Sequence, residues 1–217
     1  MESYTDYPVI LRNHLALVGL LFSCSFLYGE TNFTVKPDST TLPFETGFEL
    51  RYGFGINNPN NGENDLEWKD KRSIDFFMDF PLKGNWQLEM GFGFSQTSLN
   101  LQGQDLTYGN VRMKMLPKYW MKNKRLGLAF GGFLGFLNTD AHQILSSGTE
   151  LDFSKFYLGP EAFLSFRLID LPHLRTYLKA WGNFTALPVL DIIEPNAEDV
   201  NSQRALFLQA ALGFTFR

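Results

Sequence analysis

Ten charged side chains alternate with apolar neighbours along the sequence, as Glu89 does in "WQLEMGFGFS" and Arg112 does in "NVRMKM". Because alternation places charges on one face of a strand, acids and bases must pair wherever that face is buried. The five acids and five bases are Glu49, Arg51, Asp75, Asp79, Glu89, Arg112, Lys114, Glu161, Arg167 and Lys179. Their balanced charge leaves two interpretations, a gated path for ions or protons and a salt-bridged polar plug. We expect the plug.

A second group of chemically capable residues lies in "TDAHQILSSGTE", residues 139–150. A hydrolase would need a serine activated by a histidine, with an acid that orients the histidine. His142 lies near Asp140, Ser146, Ser147 and Glu150, but the spacing matches no known catalytic motif. His173 lies apart from this group in "DLPHL". We therefore expect a solvated loop and no catalytic residues.

Acidic residues are concentrated in four segments between the alternating stretches. These segments, 57–70, 100–107, 137–152 and 190–202, hold twelve acids and a single base. Oxygen ligands suit Ca²⁺ and Mg²⁺, so the carboxylates are candidates for weak binding of divalent cations or of a basic surface ligand. The weak metal-ligand candidates are Asp191, Glu194, Glu198 and Asp199. No segment has EF-hand spacing, so the sequence predicts no firm metal site.

The composition places the chain between ordinary soluble proteins and helical membrane proteins. Aromatic residues make up 16% of the 217 residues, and charged residues only 19%. The mean hydropathy of −0.14 is nevertheless close to neutral, so apolar and polar residues must be interleaved. The chain has no phosphate-binding glycine loop and no basic stripe for nucleic acid. We therefore expect one domain without a cofactor or a nucleic-acid partner.

Strict period-two alternation recurs eight times and predicts eight strands. Cleanest is "WQLEMGFGFS", where Trp86, Leu88 and Met90 oppose Gln87 and Glu89. Only Pro160, inside the sixth segment, argues against a regular strand, and a bulge or an edge would accommodate it. The eight segments are residues 44–56, 73–80, 86–95, 110–115, 125–136, 156–168, 176–184 and 204–217.

The first 43 residues do not alternate. Residues 15–27 are uncharged and too short to span a membrane as a helix, which is typical of the apolar core of a signal peptide. We predict a signal peptide at 1–29, an irregular periplasmic lead-in at 30–43 and one barrel domain at 44–217. Cys24, the only cysteine, ends "LFSC", so a lipoprotein signal that ends before it is the alternative.

Short connections of about five to eight residues alternate with mostly longer ones. On eight antiparallel strands, this layout predicts an all-β, eight-stranded, antiparallel, up-and-down transmembrane β-barrel. A soluble lipocalin-like barrel, with the apolar face inside, is the alternative. Three features favour the membrane barrel. The apolar face is too bulky for an eight-stranded interior. The glycines collect on the other face, and large aromatic residues lie near the strand ends, as in interfacial girdles.

The chain from residue 44 to residue 217 resembles the small eight-stranded outer-membrane barrels of bacteria, typified by the barrel domain of outer membrane protein A. Members of this family commonly end in an aromatic residue that the barrel-assembly machinery recognises, and Gly213, Phe214 and Phe216 in "LGFTFR" are similar. Arg217 departs from the pattern by following the last phenylalanine. The resemblance implies an outer-membrane location, with membrane lipid and lipopolysaccharide as partners. It leaves open a structural or surface-interaction role, a narrow pore and a lipid-modifying enzyme.

Overall fold

Eight long antiparallel strands close into a barrel, and four short strands form a separate sheet. This computed structural model describes residues 42, 44–56, 65–138, 142–195 and 200–216. The predicted signal peptide, Cys24, most of the lead-in and Arg217 lie outside the described residues. The barrel strands are β1 (Glu45–Ile56), β2 (Leu66–Pro81), β3 (Trp86–Leu101), β4 (Gln104–Trp120), β5 (Leu126–Leu137), β8 (Phe156–Asp170), β9 (Leu174–Phe184) and β12 (Leu206–Phe216). The short strands are β6 (His142–Ile144), β7 (Glu150–Phe153), β10 (Leu190–Ile193) and β11 (Asn201–Gln203).

The barrel closes between its first and last strands. β1 pairs with β12 in a continuous register that runs from Thr46 opposite Phe216 to Ile56 opposite Leu206. Around the barrel the order is β1, β12, β9, β8, β5, β4, β3 and β2, so every strand lies beside its predecessor and successor among the long strands. β1 begins and β12 ends beside the short connections, at the end of the barrel that we call the turn end. The prediction of a closed eight-stranded barrel is confirmed.

The apolar face of the barrel strands points outward. Phe130 and Met113 are 65% and 63% exposed, whereas Glu49 and Glu89 on the opposite face are fully buried. On β3, outward apolar residues run from Trp86 to Phe94, about the nine residues that a tilted transmembrane strand requires. The soluble lipocalin-like alternative is wrong, because it would need these side chains inside. The described residues contain no helix long and apolar enough to cross a membrane.

The glycines of the inner face leave room for larger side chains that cross the lumen. A Cβ atom added to Gly135 would lie 2.2 Å from the ring of Tyr157, and one added to Gly93 would lie 2.1 Å from the carboxylate of Asp75. Nothing larger than glycine fits at these positions without displacing the neighbour. The glycines therefore relieve crowding on the inner face of a narrow barrel, the face on which the alternation places them.

Strands β2, β3 and β4 extend further than predicted, beyond the apolar belt at the end opposite the short turns, which we call the loop end. On β3 the outward residues are apolar up to Phe94, whereas beyond it the buried inward residues are Leu99 and Leu101. The alternation therefore changes phase where the outside of the barrel becomes polar. The predicted long loop at 100–107 is wrong, because Gln102 and Gly103 form a tight turn with φ angles of 51° and 79°.

At the turn end, the predicted link 117–124 is also too long. β4 continues to Trp120, so that Lys118 and Trp120 point into the lumen and are buried. Trp120 therefore does not join the outward aromatic girdle, where the rings of Trp86 and Tyr119 pack against each other with centroids 5.0 Å apart. Pro160 is accommodated as expected, since it pairs with β5 alone and the β9 pairing begins at the next residue.

Two predicted loops, 137–152 and 190–202, instead contribute the four short strands. β6 and β7 come from the first connection and β10 and β11 from the second, in the order β11, β10, β7, β6. We call this four-stranded sheet the lid sheet. Its inner side and the loop end of the barrel strands share one apolar core, which we call the cap. The cap comprises Leu66, Trp68, Leu99, Leu101, Tyr108, Phe133, Leu137, Leu145, Leu151, Phe153, Tyr157, Val189, Leu190, Ile192, Ala205 and Phe207.

Candidate functional site

Two guanidinium groups and two carboxylates fill the loop-end half of a central charge network. Arg51 binds Asp75 at 3.0 Å and Glu161 at 2.7 Å. Arg112 binds the same two carboxylates, at 2.8 Å and 2.9 Å. All four side chains are buried, and they come from β1, β2, β4 and β8. The barrel thus ties together strands that are distant in sequence through shared ion pairs.

Three lysines surround Glu89 in the turn-end half of the network. Lys114 lies 2.7 Å from its carboxylate, Lys179 lies 3.1 Å away and Lys118 lies 3.3 Å away. Lys118 also pairs with Asp79. Glu89 is therefore the most highly shared carboxylate of this half, whereas Asp79 contacts one lysine.

Glu49 joins the two halves. Its carboxylate lies 2.5 Å from Arg51, 3.0 Å from Lys114 and 2.8 Å from Lys179. Five acids and five bases thus form one connected, electrically neutral network. Pairing of this kind offsets the cost of removing charges from water. Nine of the ten predicted residues belong to this network, and Lys118 is the tenth member.

Aromatic rings fill the space between the charges. Phe163 and Trp181 are tilted against each other with centroids 4.3 Å apart. The ammonium of Lys179 lies 4.2 Å from the centroid of Phe77, an arrangement that adds a cation–π attraction to its ion pairs. Phe77, Phe163 and Trp181 are buried in the lumen and so belong to the plug, whereas Phe133 is buried in the cap.

Arg167 does not join the central network, contrary to its prediction. It pairs with Asp170 at 2.8 Å and stacks over Trp120, near the turn end. Asp170 also binds Arg175 at 2.7 Å, and Arg175 continues the chain of contacts to Glu45. Arg167 lies one inward position closer to the turn end than Ser165, which is paired with Lys179, and a one-residue irregularity in the β8–β9 pairing follows it.

Four inward charges are absent from the ten predicted residues: Glu45, Lys71, Lys118 and Arg175. Continuing the alternation of β4 past Met115 would have placed Lys118 inside. A bulge between Trp68 and Lys71 exchanges the inward and outward faces of β2, so a period-two pattern does not place Lys71 inside the barrel. Leu42, from the predicted lead-in, packs with Trp120 and Tyr177 at the turn end, in a small buried cluster.

The exposed side of the lid sheet carries a row of polar residues at one register level. His142 lies opposite Asp152, Asp152 opposite Asp191, and Asp191 opposite Ser202. The Ser202 hydroxyl donates to Asp191 at 2.7 Å. Two carboxylates that face each other across a strand pair repel, so this row favours a cationic or hydrogen-bonding partner.

The hydroxyl groups near His142 have partners on the β3–β4 turn. Ser147 donates to the side-chain oxygen of Gln102 at 2.7 Å, and the Gln104 amide binds Ser146. These contacts join the lid sheet to the long β3–β4 hairpin. Asp140, the acid nearest to His142 in the sequence, lies outside the described residues. The described geometry therefore assembles no serine–histidine pair around His142.

Two of the four predicted metal-ligand candidates lie in the part of the chain that the structure describes. Asp191 and Glu194 lie in or beside β10, whereas Glu198 and Asp199 lie outside the described residues. The part of the chain that the structure describes holds no group of three or more metal-ligating side chains. Cation binding at these acids stays a prediction.

Beyond the apolar belt, Lys69 and Asp105 link β2 to β4 at the loop end with a contact of 2.7 Å. The hydrogen bond from the Asn100 amide lowers the pKa of Asp105, and the Lys69 ammonium lowers it further. Both groups are solvent-exposed. Their pairing therefore contributes little compared with the buried network.

The predicted assembly-signal residues lie in the strand that closes the barrel. Phe214 and Phe216 face outward and stack on Phe48 of β1, with centroids 5.1 Å and 6.5 Å away. Gly213 faces inward opposite Glu49. Closure by the last strand is confirmed, whereas recognition by the assembly machinery stays a prediction.

The chain matches no family model and no curated protein. Among solved structures it is similar to the outer membrane protein OprG from Pseudomonas aeruginosa, with 11% identity, a TM-score of 0.49, and 80% of this chain and 94% of that one covered. It is also similar to the translocator domain of the autotransporter NalP from Neisseria meningitidis, at 10% identity, a TM-score of 0.34, and 99% and 100% coverage. A third similar structure is the outer membrane protease OmpT from Escherichia coli, with 7% identity, a TM-score of 0.33, and 80% of this chain and 96% of that one covered. The fold assignment rests on the strand pairing described above.

Proposed function

We propose that this chain is an integral barrel of a bacterial outer membrane with a structural or surface-interaction role. In this proposal a closed barrel anchors the lid sheet at the cell surface. The observation that carries it is the sealing of the lumen by the neutral charge network, together with the exposed sheet above the cap. The chain would then act through what its loop end binds, and not through what its lumen conducts.

The membrane location is supported by the apolar outer face of the barrel, by its closure and by the layout of its connections. Closed barrels satisfy every backbone hydrogen bond between strands, which is the condition for β structure in lipid. The short connections at one end and the elaborated ones at the other match the layout of bacterial outer-membrane barrels. By that analogy, the lid sheet faces the outside of the cell and the turn end faces the periplasm.

A closed lumen is supported at two successive levels. The ion pairs and rings of the network occupy the centre, and sixteen apolar residues of the cap cover its loop end. An ion crossing the barrel would have to separate buried ion pairs and then enter an apolar layer, and each step is costly. A narrow pore is therefore the less favoured function.

The surface role is supported by how firmly the lid sheet is held. Its inner residues Leu151 and Ile192 are fully buried in the cap. Ser146 accepts a hydrogen bond from Gln104 and Ser147 donates one to Gln102, and these bonds join the lid sheet to the β3–β4 hairpin. Its outer side carries the Asp152–Asp191 row. We propose that these acids attract divalent cations, which would bridge to anionic lipopolysaccharide, or a basic surface partner.

Surface labelling of intact cells tests the location and the orientation. Ile144, on the lid sheet, is 66% exposed, and Leu82, at the turn end, is 44% exposed. We expect a membrane-impermeant maleimide to label an Ile144→Cys variant on intact cells, and a Leu82→Cys variant only after lysis. The parent chain provides the background for Cys24. Labelling of Leu82→Cys alone would reverse the orientation, and a soluble parent would contradict the membrane anchor.

Planar-bilayer recordings of the purified barrel test the closed lumen. We expect no steady conductance from the parent or from a variant in which a short glycine–serine linker replaces residues 139–154, because the network remains in place. Large stable openings in the parent would contradict the closed anchor. Openings in the shortened variant alone would assign the seal to the cap.

A further inference from the structure

Lys71 is the unbalanced charge of the lumen. The ten charges of the central network cancel, and at the turn end Glu45 and Asp170 match Arg167 and Arg175. Lys71 is 3% exposed, and it has no carboxylate within ion-pair distance among the described residues. The buried acids are Glu45, Glu49, Asp75, Asp79, Glu89 and Glu161, and the buried bases are Arg51, Lys71, Arg112, Lys114, Lys118, Arg167, Arg175 and Lys179. Asp170, whose side chain is 41% exposed, pairs with Arg167 and Arg175 at the turn end.

The surroundings of Lys71 are apolar on one side and electropositive on the other. Its ammonium lies 4.6 Å from the centroid of the Phe207 ring, which belongs to the cap. Toward the centre of the lumen, Arg51 and Arg112 add repulsion that Asp75 and Glu161 only partly offset. A buried cation in this position is costly unless an anion accompanies it.

Two further hydrogen-bond donors near Lys71 lack partners. The Asn110 amide oxygen accepts a bond from Ser95 at 2.5 Å, but the amide nitrogen has no partner among the described residues. The buried hydroxyl of Tyr157 has none either. Each of these donors is nearly or fully enclosed, so bulk water does not reach it freely.

The strand register places these donors in one layer. Asn110 and Arg112 are successive inward residues of β4, and the ring of Tyr157 crosses Gly135, which lies opposite Arg112. Lys71 and Tyr157 both interact electrostatically with Arg112 and Glu161. The ammonium, the amide and the hydroxyl therefore surround the loop-end side of the same ion pair.

We propose that the lumen binds a small monovalent anion, such as chloride, between the central network and the cap. Lys71 supplies the compensating charge, and Asn110 and Tyr157 donate hydrogen bonds to the anion. One excess positive charge calls for one negative charge, so a monovalent ion restores neutrality whereas a divalent ion would reverse the imbalance. The bound anion belongs to the folded barrel and stabilises it by mass action.

Unfolding in two sodium salts of equal ionic strength tests this site. For the parent barrel in detergent, we expect a higher urea midpoint in chloride than in gluconate, which is too large to enter. At a chloride concentration ten times the dissociation constant, the ratio of folded to unfolded protein rises about elevenfold. A Lys71→Met variant should fold, because it removes an uncompensated charge, and should lose the chloride dependence. The matched variant Lys69→Met, which changes an exposed lysine two residues away, should keep it.

Crystals of the parent barrel grown in sodium bromide give an independent test. We expect one anomalous peak within hydrogen-bonding distance of the Lys71 ammonium, and none there in Lys71→Met crystals. Equal urea midpoints for the parent in chloride and gluconate would overturn the proposal. So would an unchanged chloride effect in Lys71→Met, or bromide crystals of the parent without a peak at Lys71.

Discussion

The Cζ atom of Arg51 lies 3.4 Å from the centroid of the Trp181 ring, in the middle of the lumen. The same guanidinium binds Glu49, Asp75 and Glu161. Charge pairing and aromatic packing therefore depend on each other here, since the ring packs against the guanidinium that pairs with three carboxylates. The relationship explains how eight strands can enclose many ionised groups without an open water-filled channel.

Removing the ring should weaken the whole plug. We expect Trp181→Ala to lower the free energy of unfolding by about 3–5 kcal/mol, because it leaves a cavity and deprives Arg51 of its packing surface. Urea unfolding in detergent micelles, followed by gel mobility of unboiled samples, measures the change. Trp86→Ala is the matched control, because Trp86 lies on the outer girdle, where detergent fills the gap. A loss no greater for Trp181→Ala than for Trp86→Ala would contradict the packed plug.

The stability lost when a single carboxylate is neutralised should increase with the number of bases that the carboxylate binds. Glu89→Gln reduces the pairing of three buried lysines, so we expect a loss of about 3–5 kcal/mol. Asp79→Asn affects Lys118 alone, and Lys118 keeps Glu89, so the loss should be clearly smaller. Asp105→Asn breaks the exposed pair with Lys69 and should leave the urea midpoint unchanged. Equal losses for Glu89→Gln and Asp79→Asn would mean that the network is not shared as described.

The contact between Gly135 and Tyr157 offers a test of lumen crowding. Gly135→Ala places a methyl group against the ring, and overpacking of this kind costs about 1–3 kcal/mol. The double variant Gly135→Ala with Tyr157→Ala should lose less stability than the two single changes together, because removing the ring makes room for the methyl group. Additive losses, measured by the same urea unfolding, would show that the ring can move aside without strain.

The barrel could be predicted from the sequence because lipid imposes one rule on every strand. Where the outside of the barrel is apolar, residues such as Phe92 face outward, glycines such as Gly93 face inward, and period-two alternation follows directly. This rule also located nine members of the network. It does not place Lys118 in the network, because the predicted fourth strand ends at Met115.

The lid sheet and the cap could not be predicted because the rule reverses beyond the membrane. There the outside of a strand meets water and the inside meets the cap. The inward residues Leu99 and Leu101 are therefore apolar, and the segment that contains them has the sequence pattern of a loop with a few apolar residues. The bulge before Lys71 reverses the faces within a strand. β6 and β11 have three residues each, too few for alternation to be recognised, and the pairing of β7 with β10 joins connections that are distant in sequence.

The closing strand should matter more for assembly in cells than for stability. If the assembly machinery recognises the aromatic residue at the end of the last strand, as the family resemblance implies, Phe216→Ala should reduce the amount of folded barrel in the outer membrane. Refolding of the purified variant in detergent should be nearly unchanged. Phe54→Ala, another outward phenylalanine, is the control for lost lipid contact. Equal amounts of folded barrel in cells for the parent and Phe216→Ala would contradict this role.

Calcium should bind weakly at the lid sheet if its acids attract divalent cations. Asp152 and Asp191 lie directly opposite each other on the exposed side, and their repulsion decreases when a cation lies between them. Glu194 follows β10, and the sequence adds Glu198 and Asp199 shortly after. Because the site is shallow and exposed, the dissociation constant should fall at the millimolar end of the range for extracellular modules.

Calorimetric titration of calcium into the detergent-solubilised barrel measures this binding. We expect a small saturable heat and a higher urea midpoint for the parent. Both should be lost in a variant that combines Asp191→Asn, Glu194→Gln, Glu198→Gln and Asp199→Asn. Asp105→Asn, which removes an acid already paired with Lys69 at the same end, should behave like the parent. A parent without calcium-dependent heat or stabilisation would leave these acids as a solvated surface, and the bridge to lipopolysaccharide would have no support.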